Sequence, residues 1–577
     1  MAIHQALTHW TVQPRNRDAE QRLIQELGVP SIVAALLVQR GYADPEDANR
    51  FLNPRLDDLF DPRLLPDYAK ASAEILGARE RKELIFVHGD YDVDGVTSAA
   101  LFNRFLSAIG CQVKTHVPHR MREGYGIHRT AVDAAREAGA KLFLTCDVGI
   151  SAHEQVAMAG EAGMRVVVTD HHSIGHDLPA AQAIVNPHRE DSEYPFDELS
   201  GVGVVFKLCA GLTQELGLDR DKYYRAFLDL AALGTIADVM PLVSENRIIA
   251  KFGLERLADT KKVGLQALMR EAKISVESNR ALRAYHVGFV IGPRLNAAGR
   301  IDDAAIALKL LLENDPTEAA SLARKIEEVN TARKLEQNRT IEEASTRVLD
   351  RGYALKNVIL VEDPSWHAGI VGIVAGRLVE QFRRPTFVLT VDPETGICKG
   401  SARTIPKFHL ADAIRAFPDL FLSGGGHAMA AGCSFHIDKI DQIRDSLHHY
   451  AAERLLPEDF VPTISADVEV GFDELTMASA EALERLEPFG AANPEPLFVA
   501  RGVTLAQVIP TKSPQHAKVS LKCGDSPSKE GIAFNIGERL AATGAGEVVD
   551  MILQPAVEEW RGNRSLKIHL KDYQIPG

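Results

Sequence analysis

Three aspartates in the stretch HGDYDVDG, residues 88–95, are the first side chains in this sequence that could do chemistry. Asp90, Asp92 and Asp94 occupy every second position, and in an extended segment such positions point to one side. Two carboxylates about 4 Å apart repel by roughly 1 kcal/mol in water and by about 4 kcal/mol at an effective dielectric constant of 20. The spacing therefore indicates a cation site, and the alternative is an exposed, turn-forming acidic loop.

An EF-hand calcium loop also begins with alternating aspartates and a glycine. Such a loop needs Glu at its twelfth position and follows a helix. This sequence lacks that Glu, and the aspartates follow the apolar run Leu84–Val87, which predicts a buried strand. The pattern therefore disfavours calcium.

Further acidic and imidazole side chains stand at the ends of apolar runs. Asp147 ends KLFLTCD, Asp170-His171-His172 ends MRVVVTD, and Asp238 lies in the mostly apolar LDLAALGTIADVMPL. A single strand-end Asp is often a helix N-cap, and adjacent histidines are often surface residues. As a set, Asp and His ligands without Cys favour Mn²⁺ or Mg²⁺, and the number of carboxylates favours two ions.

The elements that must position these ligands are short apolar runs that alternate with helical stretches from about residue 80 onward. This alternation predicts a mostly parallel sheet covered by helices on both faces. Such sheets bind ligands beyond the carboxyl ends of their strands. The predicted fold class is α/β, with a parallel-sheet domain, a second α/β domain and a final β-barrel.

A long helix is predicted between the two α/β domains. Residues 317–350 contain neither Gly nor Pro, and Pro316 stands where a helix tolerates it. A coiled-coil or bundle helix is the alternative, but strand patterns resume directly afterwards. We predict five segments: an N-terminal helical segment (1–65), the parallel-sheet domain (66–315), the connecting helix (316–352), the second α/β domain (353–455) and the barrel (456–577).

Composition restricts the class of protein further. The 577 residues carry a net charge of −14, which disfavours a nucleic-acid partner, although a basic groove is a local feature. No apolar run approaches the ~20 residues of a membrane span, and the N-terminus shows no secretory signal. The six cysteines include no C-x-x-C pair. We therefore expect a cytoplasmic protein with no membrane partner, no disulfide framework and no structural zinc.

Several motifs resemble those of the DHH phosphoesterase superfamily: GDYDVDG, CDVGI, TDHH and GTIADVMPL. Others resemble the RecJ family of single-strand exonucleases within it: VPHRMREGYGI, LSGVGVVFKL, GPRLNAAGRIDD, WHAGIVGIVAGRL, KGSARTIPKFHLADAI, GGGHAMAAG, LEPFGAANPEPLF and GIAFNI. They run in order from about residue 86 to 535. The resemblance implies a DHH domain, a DHH-associated domain, an OB-like nucleic-acid-binding domain and two Mn²⁺ or Mg²⁺ ions.

The implied activity is 5′-to-3′ removal of nucleotides from single-stranded DNA during recombination and repair. Mapped onto this sequence, the resemblance gives His172 a place facing the scissile phosphate and leaves His88 undecided. The implied metal ligands are Asp90, Asp92, Asp94, Asp147, His171 and Asp238. The predicted catalytic residues are Asp92, Asp94, Asp147, His171, His172 and Asp238.

Residues that would hold the strand are arginines, small polar residues and a Gly-rich loop. A guanidinium offers paired donors to a phosphate, and glycines allow close approach of the backbone. By resemblance, Ser401 and Arg403 grip a 5′ phosphate, while Trp366 either stacks on a base or packs in the core. The predicted nucleic-acid-binding residues are Arg120, Arg294, Arg300, Trp366, His367, Ser401, Arg403, Gly426 and His427. In the barrel, weaker candidates are Arg501, Lys512 and Lys518.

Two other functions stay open from the residues alone. One is a small-molecule phosphoesterase or oligoribonuclease of the same superfamily, which would be shorter. The other is a catalytically inactive DNA-binding scaffold, which would have lost metal ligands. The resemblance also implies a nucleoid-associated monomer that works with a single-strand-binding protein and a helicase. We further expect a groove too narrow for duplex DNA, which the barrel closes around one strand.

Overall fold

The computed structural model describes residues 8–119, 123–124, 126–175, 177–274, 282–301, 303–560 and 562–576. The side chains of Arg300, Ile301 and Trp560 are outside this description. Within the described part of the chain, no helix combines the length and the apolar character needed to cross a membrane.

The N-terminal elements pack against the C-terminal domain. They are β1 (His9–Val12), α1 (Arg17–Leu27), α2 (Ser31–Gln39) and α3 (Pro45–Leu52). β1 pairs in parallel with a strand at Thr463–Ala466, and Ile32 and Leu36 of α2 lie in one apolar core with Val503 and Leu570. The first helices and the barrel therefore form one hydrophobic unit.

The parallel-sheet domain follows. Its first elements are α4 (Tyr68–Glu80), β2 (Leu84–Gly89), α5 (Val93–Ala108), β3 (Gln112–His116), α6 (Arg129–Glu137), β4 (Leu142–Cys146), α7 (His153–Glu161), β5 (Arg165–Thr169) and β6 (Ala183–Val185). The strand order is β3-β2-β4-β5-β6, and all pairs are parallel. Ile85 and Val87 face one apolar core and Phe86 faces the other, because successive strand residues point to opposite faces. The predicted parallel sheet is confirmed.

A helical layer completes this domain. It contains α8 (Gly201–Glu215), α9 (Arg220–Ala237), α10 (Ser244–Ala258), α11 (Val263–Glu271), a π-helix (His286–Ile291), α12 (Gly292–Ile301) and α13 (Ala305–Leu312). α8 and α9 pack on α5. This packing brings the first turn of α8 and the last residues of α9 towards the loop after β2.

The connecting helix α14 (Pro316–Asp350) has 35 residues, which corresponds to about 50 Å. The Asp315 side chain caps it by accepting hydrogen bonds from the amides of Thr317 and Glu318, both at 2.9 Å. Its first turns pack into the parallel-sheet domain, and Ala344 and Val348 near its end pack into the second α/β domain. It therefore joins the two bodies, as predicted.

The second α/β domain contains β7 (Ile359–Glu362), α15 (Val371–Phe382), β8 (Thr386–Val391), β9 (Ile397–Arg403), α16 (Leu410–Arg415), β10 (Ser423–Gly426), β11 (Ala430–His436) and α17 (Ile440–Ala452). The strand order is β10-β11-β9-β8-β7. β7 and β8 are parallel and the other pairs are antiparallel. The sheet is therefore mixed rather than parallel.

The C-terminal domain contains β12 (Thr463–Ala466), β13 (Val468–Glu469), α18 (Met477–Glu484), β14 (Phe498–Pro510), β15 (Ala517–Lys522), β16 (Lys529–Ala533), α19 (Gly537–Thr543), β17 (Val548–Trp560) and β18 (Asn563–Gln574). Strands β14-β15-β16-β18-β17 close into a barrel because β17 pairs back with β14. This closed five-stranded arrangement is OB-like and confirms the predicted barrel.

Arg247 of α10 connects three parts of the chain. Its guanidinium donates to the main-chain oxygens of Phe51 at 2.9 Å, Leu486 at 2.8 Å and Arg485 at 3.1 Å, and it covers the Phe51 ring. The side chain is buried, and burial lowers its pKa to about 10. The N-terminal helices, the parallel-sheet domain and the C-terminal domain therefore meet at one residue. The predicted domain limits themselves stay predictions.

Replacing Arg247 by Ala is expected to lower the free energy of unfolding by about 3 kcal/mol or more. The change leaves two buried carbonyl groups and one part-buried carbonyl group without their donor, and each buried loss costs about 1–3 kcal/mol. Urea unfolding of the full chain measures the effect. Arg50→Ala is the control, because Arg50 is more than half exposed and pairs only with acids on its own helix. Equal stability of the two variants would contradict the junction role.

Candidate metal centre and phosphate-binding residues

The metal centre lies where three neighbouring strands end. β2, β4 and β5 are adjacent in the sheet, and their carboxyl ends lead to the aspartate loop, to Asp147 and to Asp170-His171-His172. Asp238 arrives from outside the sheet, as the residue that ends α9. The parallel order therefore brings together residues between 90 and 172, and α9 adds Asp238.

Helix ends fix the side chains of the first motif. Asp92 is the N-cap of α5, and its Oδ1 accepts from the amide of Gly95 at 3.0 Å. Asp94 is buried and accepts from the amides of Gly201 at 2.7 Å and Val202 at 2.9 Å, in the first turn of α8. The positive end of the α8 dipole therefore faces this carboxylate and orients it.

His171 stands at the centre of the ligands. Its Nε2 lies 3.2 Å from Asp147 Oδ1, 3.6 Å from Asp238 Oδ2 and 3.9 Å from Asp94 Oδ2. Three groups of side chains have ligand atoms within 4.8 Å of one another. They are Asp90, Asp92 and Asp147; Asp94, His171 and Asp238; and Asp147, His171 and His172. Asp147 and His171 each belong to two groups, which suits two adjacent ions.

The charges at this site fit bound cations. Burial and the neighbouring Asp92 raise the pKa of Asp94 to about 7, and burial and Asp94 raise the pKa of Asp238 to about 7. The pKa of Asp147 is raised by burial and by four surrounding carboxylates, and its buried Oδ1 accepts no hydrogen bond from a described residue. A divalent cation would compensate this repulsion and bind Asp147 Oδ1. The oxygen and imidazole donors are those that Mn²⁺ and Mg²⁺ accept.

Asp170 organises the histidine pair, a role that the sequence reasoning did not assign. Its carboxylate accepts from the amides of Ile150, His171 and His172 and from the His172 ring at 2.7 Å. Burial would raise the pKa of Asp170, but these hydrogen bonds lower it overall. Burial likewise opposes the charge on His172, yet the bond to Asp170 raises its pKa to about 9. Asp170 therefore orients the partly exposed His172 ring and favours its protonated form.

Two glycines make room for the carboxylates. A Cβ on Gly201 would lie 2.5 Å from both the Cβ and Oδ1 of Asp147. A Cβ on Gly234 would lie 2.6 Å from Asp94 Oδ1. The sequence signal was present in LSGVG and ALGTI, but only the fold shows that these glycines contact the ligands.

His88, which the sequence left undecided, lies beside the ligands without joining them. The ring is buried, stacks on Phe143 and His116, and places its Nδ1 3.1 Å from that of His116. Burial and His116 lower the pKa of His88 to about 3. Within the described residues it belongs to none of the three ligand groups.

Ser401 and Arg403 lie together beside the first turn of α15. Arg403 Nη1 donates to Ser401 Oγ at 3.0 Å, and a Cβ on Gly372 would lie 3.1 Å from Ser401 Oγ and 3.3 Å from Arg403 Nη2. Burial lowers the pKa of Arg403, and no described carboxylate pairs with it. A half-buried cation, a hydroxyl and a helix N-terminus together form a suitable environment for a phosphate.

The Gly-rich loop lies next to this group in the sheet. Ala430 is paired with Arg403 across β9 and β11, and its carbonyl accepts from the His427 amide at 2.8 Å. Gly426 has φ 142, and a Cβ there would lie 2.4 Å from Ala430 O. His427 and Arg403 therefore both neighbour Ala430, and their phosphate role stays a prediction.

Other predicted contacts are occupied by the protein itself. Arg294 is buried and pairs with Glu327 at 2.5 Å. Trp366 is only 2% exposed and its Nε1 donates to Glu343, so its ring packs in the core and is closed to a base. His367 is half-buried and accepts from the Gly369 amide at 3.0 Å.

The other predicted nucleic-acid-binding residues are Arg120, Arg300 and three residues of the barrel. Arg120 lies outside the described residues, and Arg300 belongs to α12 with its side chain outside the description. Arg501 pairs with Glu469 and Asp550, both at 2.8 Å. Lys512 is exposed, and Lys518 lines an open groove on the barrel surface with Lys567 and Glu530.

Comparison with known proteins gives the family. The family model "DHH family, N-terminal domain" matches residues 84–235, "DHHA1 domain" matches 355–453 and "RecJ OB domain" matches 466–572. The single-stranded-DNA-specific exonuclease RecJ of Bacillus subtilis is 36% identical over 98% of this chain and 71% of its own length. RecJ of Escherichia coli is 35% identical over 96% of this chain and 98% of its own. The chain therefore belongs to the RecJ family.

Solved structures agree with this assignment. RecJ of Thermus thermophilus in complex with Mn²⁺ superposes with a TM-score of 0.83 at 29% identity, covering 99% of this chain and 80% of that one. The Mg²⁺ complex gives a TM-score of 0.75 at 27% identity, covering 99% of this chain and 79% of that one. Members of the family are thus solved with both ions predicted from the Asp and His ligands.

Gly201→Ala is expected to weaken Mn²⁺ binding at least about tenfold, because the added Cβ displaces Asp147. Isothermal titration of the purified protein with Mn²⁺ measures the effect. Gly203→Ala is the matched control in the same helix turn, because its Cβ would meet nothing closer than Ser200 Oγ at 3.2 Å. Unchanged affinity in Gly201→Ala would show that Asp147 does not bind the metal.

Proposed function

We propose that this protein is a metal-dependent exonuclease that hydrolyses phosphodiester bonds of single-stranded DNA. The observation that carries the proposal is the convergence of the strand-end aspartates and His171 into ligand groups that share members. Membership of the RecJ family supplies the substrate class, because its curated relatives are named for single-stranded DNA. The full set of ligands disfavours an inactive scaffold, and the match over nearly the whole chain disfavours a smaller phosphoesterase.

The proposed ligands of two Mn²⁺ or Mg²⁺ ions are Asp90, Asp92, Asp94, Asp147, His171 and Asp238. When bound, such ions activate a water molecule and neutralise charge on the scissile phosphate. The chain's own part is to hold the ligands rigidly: α8 amides fix Asp94 and the cap of α5 fixes Asp92. In this proposal His172, oriented by its hydrogen bond to Asp170, donates to a phosphate oxygen.

The second α/β domain supplies the proposed grip on the 5′ end. Arg403 is a cation without a described carboxylate partner, and Ser401, His427 and the first turn of α15 are the further donors of this proposed group. A terminal phosphate carries more charge than a phosphodiester, so this group favours a 5′-phosphorylated end. The 5′-to-3′ direction rests on this proposal and on the family.

The proposed cellular setting is the cytoplasm, at the nucleoid. We propose a monomer that meets its substrate with a single-strand-binding protein and a helicase. Specificity for one strand is proposed to come from a groove between the two α/β bodies that the barrel closes. Because backbone contacts are charged and not base-specific, binding should depend strongly on salt and weakly on sequence.

The proposed activity is tested with 5′-labelled and 3′-labelled single strands and with a duplex, each with Mn²⁺, Mg²⁺ or chelator. Wild type is expected to degrade only the single strands, and chelator to stop the reaction. Asp147→Ala is expected to reduce turnover to the level without enzyme while single-strand binding persists, because removing a negative charge does not weaken attraction for phosphate.

Asp259→Ala is the control for this variant, because Asp259 is a mostly exposed acid of the same domain that pairs with Lys261. It should retain wild-type turnover. Activity that persisted in chelator would refute the metal mechanism. Loss of folding in Asp147→Ala would make that residue structural.

Arg403→Gln is expected to reduce the preference for a 5′-phosphorylated over a 5′-hydroxyl strand by about tenfold or more, since a charge-assisted contact contributes about 1.5–3 kcal/mol. The ratio of kcat/KM for the two ends measures the effect. Arg377→Gln is the control, because Arg377 is on α15, is mostly exposed and pairs with Glu380. An unchanged ratio in Arg403→Gln would place the 5′ phosphate elsewhere.

A further inference from the structure

The face of α14 that contacts the two bodies changes character along the helix. At its start, Ala323 and Ile326 pack into the parallel-sheet domain, and towards its end Ala344 packs into the second domain. Between them, at helical spacing on the same side, stand Asn330, Arg333 and Thr340, which are also buried. The middle of the connecting helix is therefore polar where the two ends are apolar.

These polar groups are incompletely satisfied by the protein. Asn330 Nδ2, Arg333 Nε and Thr340 Oγ1 are all buried without a hydrogen-bond partner among the described residues. Buried polar atoms are usually paired, because leaving one unpaired costs about 1–3 kcal/mol. The buried side of this stretch of helix therefore offers three polar atoms to a ligand or to water.

Arg333 is the strongest of these signals. It is 8% exposed, its Nη2 donates to Asn330 Oδ1 at 3.1 Å, and no described carboxylate pairs with it. Its Nη1 makes no hydrogen bond to a described residue. Burial and the nearby cation Arg294 both lower the pKa of Arg333. A buried cation without a counter-ion destabilises the folded chain unless an anion joins it.

The position of this cation relates it to the metal centre. Arg294 belongs to α12, and five residues later a Cβ on Gly299 would lie 3.0 Å from the carbonyl of Tyr91, between Asp90 and Asp92. Five residues of helix correspond to about 7.5 Å. Arg294 pairs with Glu327, whereas the neighbouring Arg333 has no described carboxylate partner, so its positive charge stays uncompensated.

We propose that Arg333, with Asn330 and beside the Arg294–Glu327 pair, forms a second phosphate-binding site that holds a phosphodiester of the single strand near the metal centre. The proposal rests on the proposed function and makes the connecting helix a binding element as well as a spacer. The ligand class is an oxyanion, and the guanidinium fork suits two of its oxygens. A strand phosphate and a free phosphate share this chemistry, and the strand is the source to which we commit.

The first test is single-strand binding by Arg333→Met in chelator, so that no strand is degraded. The variant is expected to bind about five- to tenfold more weakly near 0.15 M salt, with the slope of log K against log salt smaller by about 0.7. Arg339→Met is the matched control, because Arg339 is on the same helix, is exposed and already pairs with Glu336 and Glu343. Equal affinity and slope in wild type and Arg333→Met would overturn the site.

Thermal unfolding separates a ligand role from a structural one. Methionine has a similar length and no charge, so Arg333→Met should melt no lower than wild type when DNA is absent. Arg333→Lys keeps the charge but loses the fork, and it should retain the salt slope with reduced affinity. A lowered melting temperature of Arg333→Met together with weaker binding would make Arg333 a structural residue and overturn the proposal.

Inorganic phosphate and a strand with uncharged methylphosphonate linkages distinguish the source of the anion. The expected result is that Arg333→Met changes affinity for the normal strand but not for the methylphosphonate strand. If inorganic phosphate raised the melting temperature of wild type alone, while the strand bound both proteins equally, the strand assignment would be wrong. If wild type bound no single strand, both the proposed function and this site would be wrong. If wild type and Arg333→Met bound the strand equally, only this site would be wrong.

Discussion

The repulsion among the buried carboxylates of the metal centre is the constraint on which the rest of the structure depends. Asp94 and Asp147 are almost fully buried, and the surrounding negative charges disfavour their ionised forms. Such a cluster is stable only when dipoles and cations oppose its charge. The first turn of α8 supplies two amides, and the glycines at 201 and 234 allow the helices to approach closely enough for this contact.

The same constraint explains why the C-terminal domain is not an appendage. Asp238 is the ligand that comes from outside the sheet, and the chain after it turns through Val239, which has φ 60. Four residues after Asp238, the Leu242 amide donates to Ala491 O at 2.8 Å, in the loop that leads to the barrel. The last metal ligand is thus tied to the C-terminal domain, and Arg247 ties the same region to the N-terminal helices.

Periodicity predicted the elements and left their long-range partners open. The buried runs before Asp90, Asp147 and Asp170 predicted parallel strands, and parallel strands meet at one edge, so the convergence of these residues could be predicted from the sequence. Their assignment as metal ligands stays a prediction. The pairing of β1 with β12 could not be predicted, because it joins strands about 450 residues apart that carry no shared pattern. Side-chain type was also insufficient to predict which residues are available to DNA. Arg294 and Trp366 are residue types that often bind DNA, but here Arg294 pairs with Glu327 and Trp366 donates to Glu343, both on α14.

The net charge of −14 is compatible with binding a polyanion because compensation is local. Arginines such as Arg339 and Arg347 pair with carboxylates and so present little field to a ligand. Arg333 and Arg403 have no such described partner, and both are at least half-buried, where an unscreened charge acts more strongly than at the surface. Under our proposals, an acidic protein attracts a strand by leaving particular cations uncompensated. The arginines to examine first are those without a carboxylate, whatever the sum of charges over the chain.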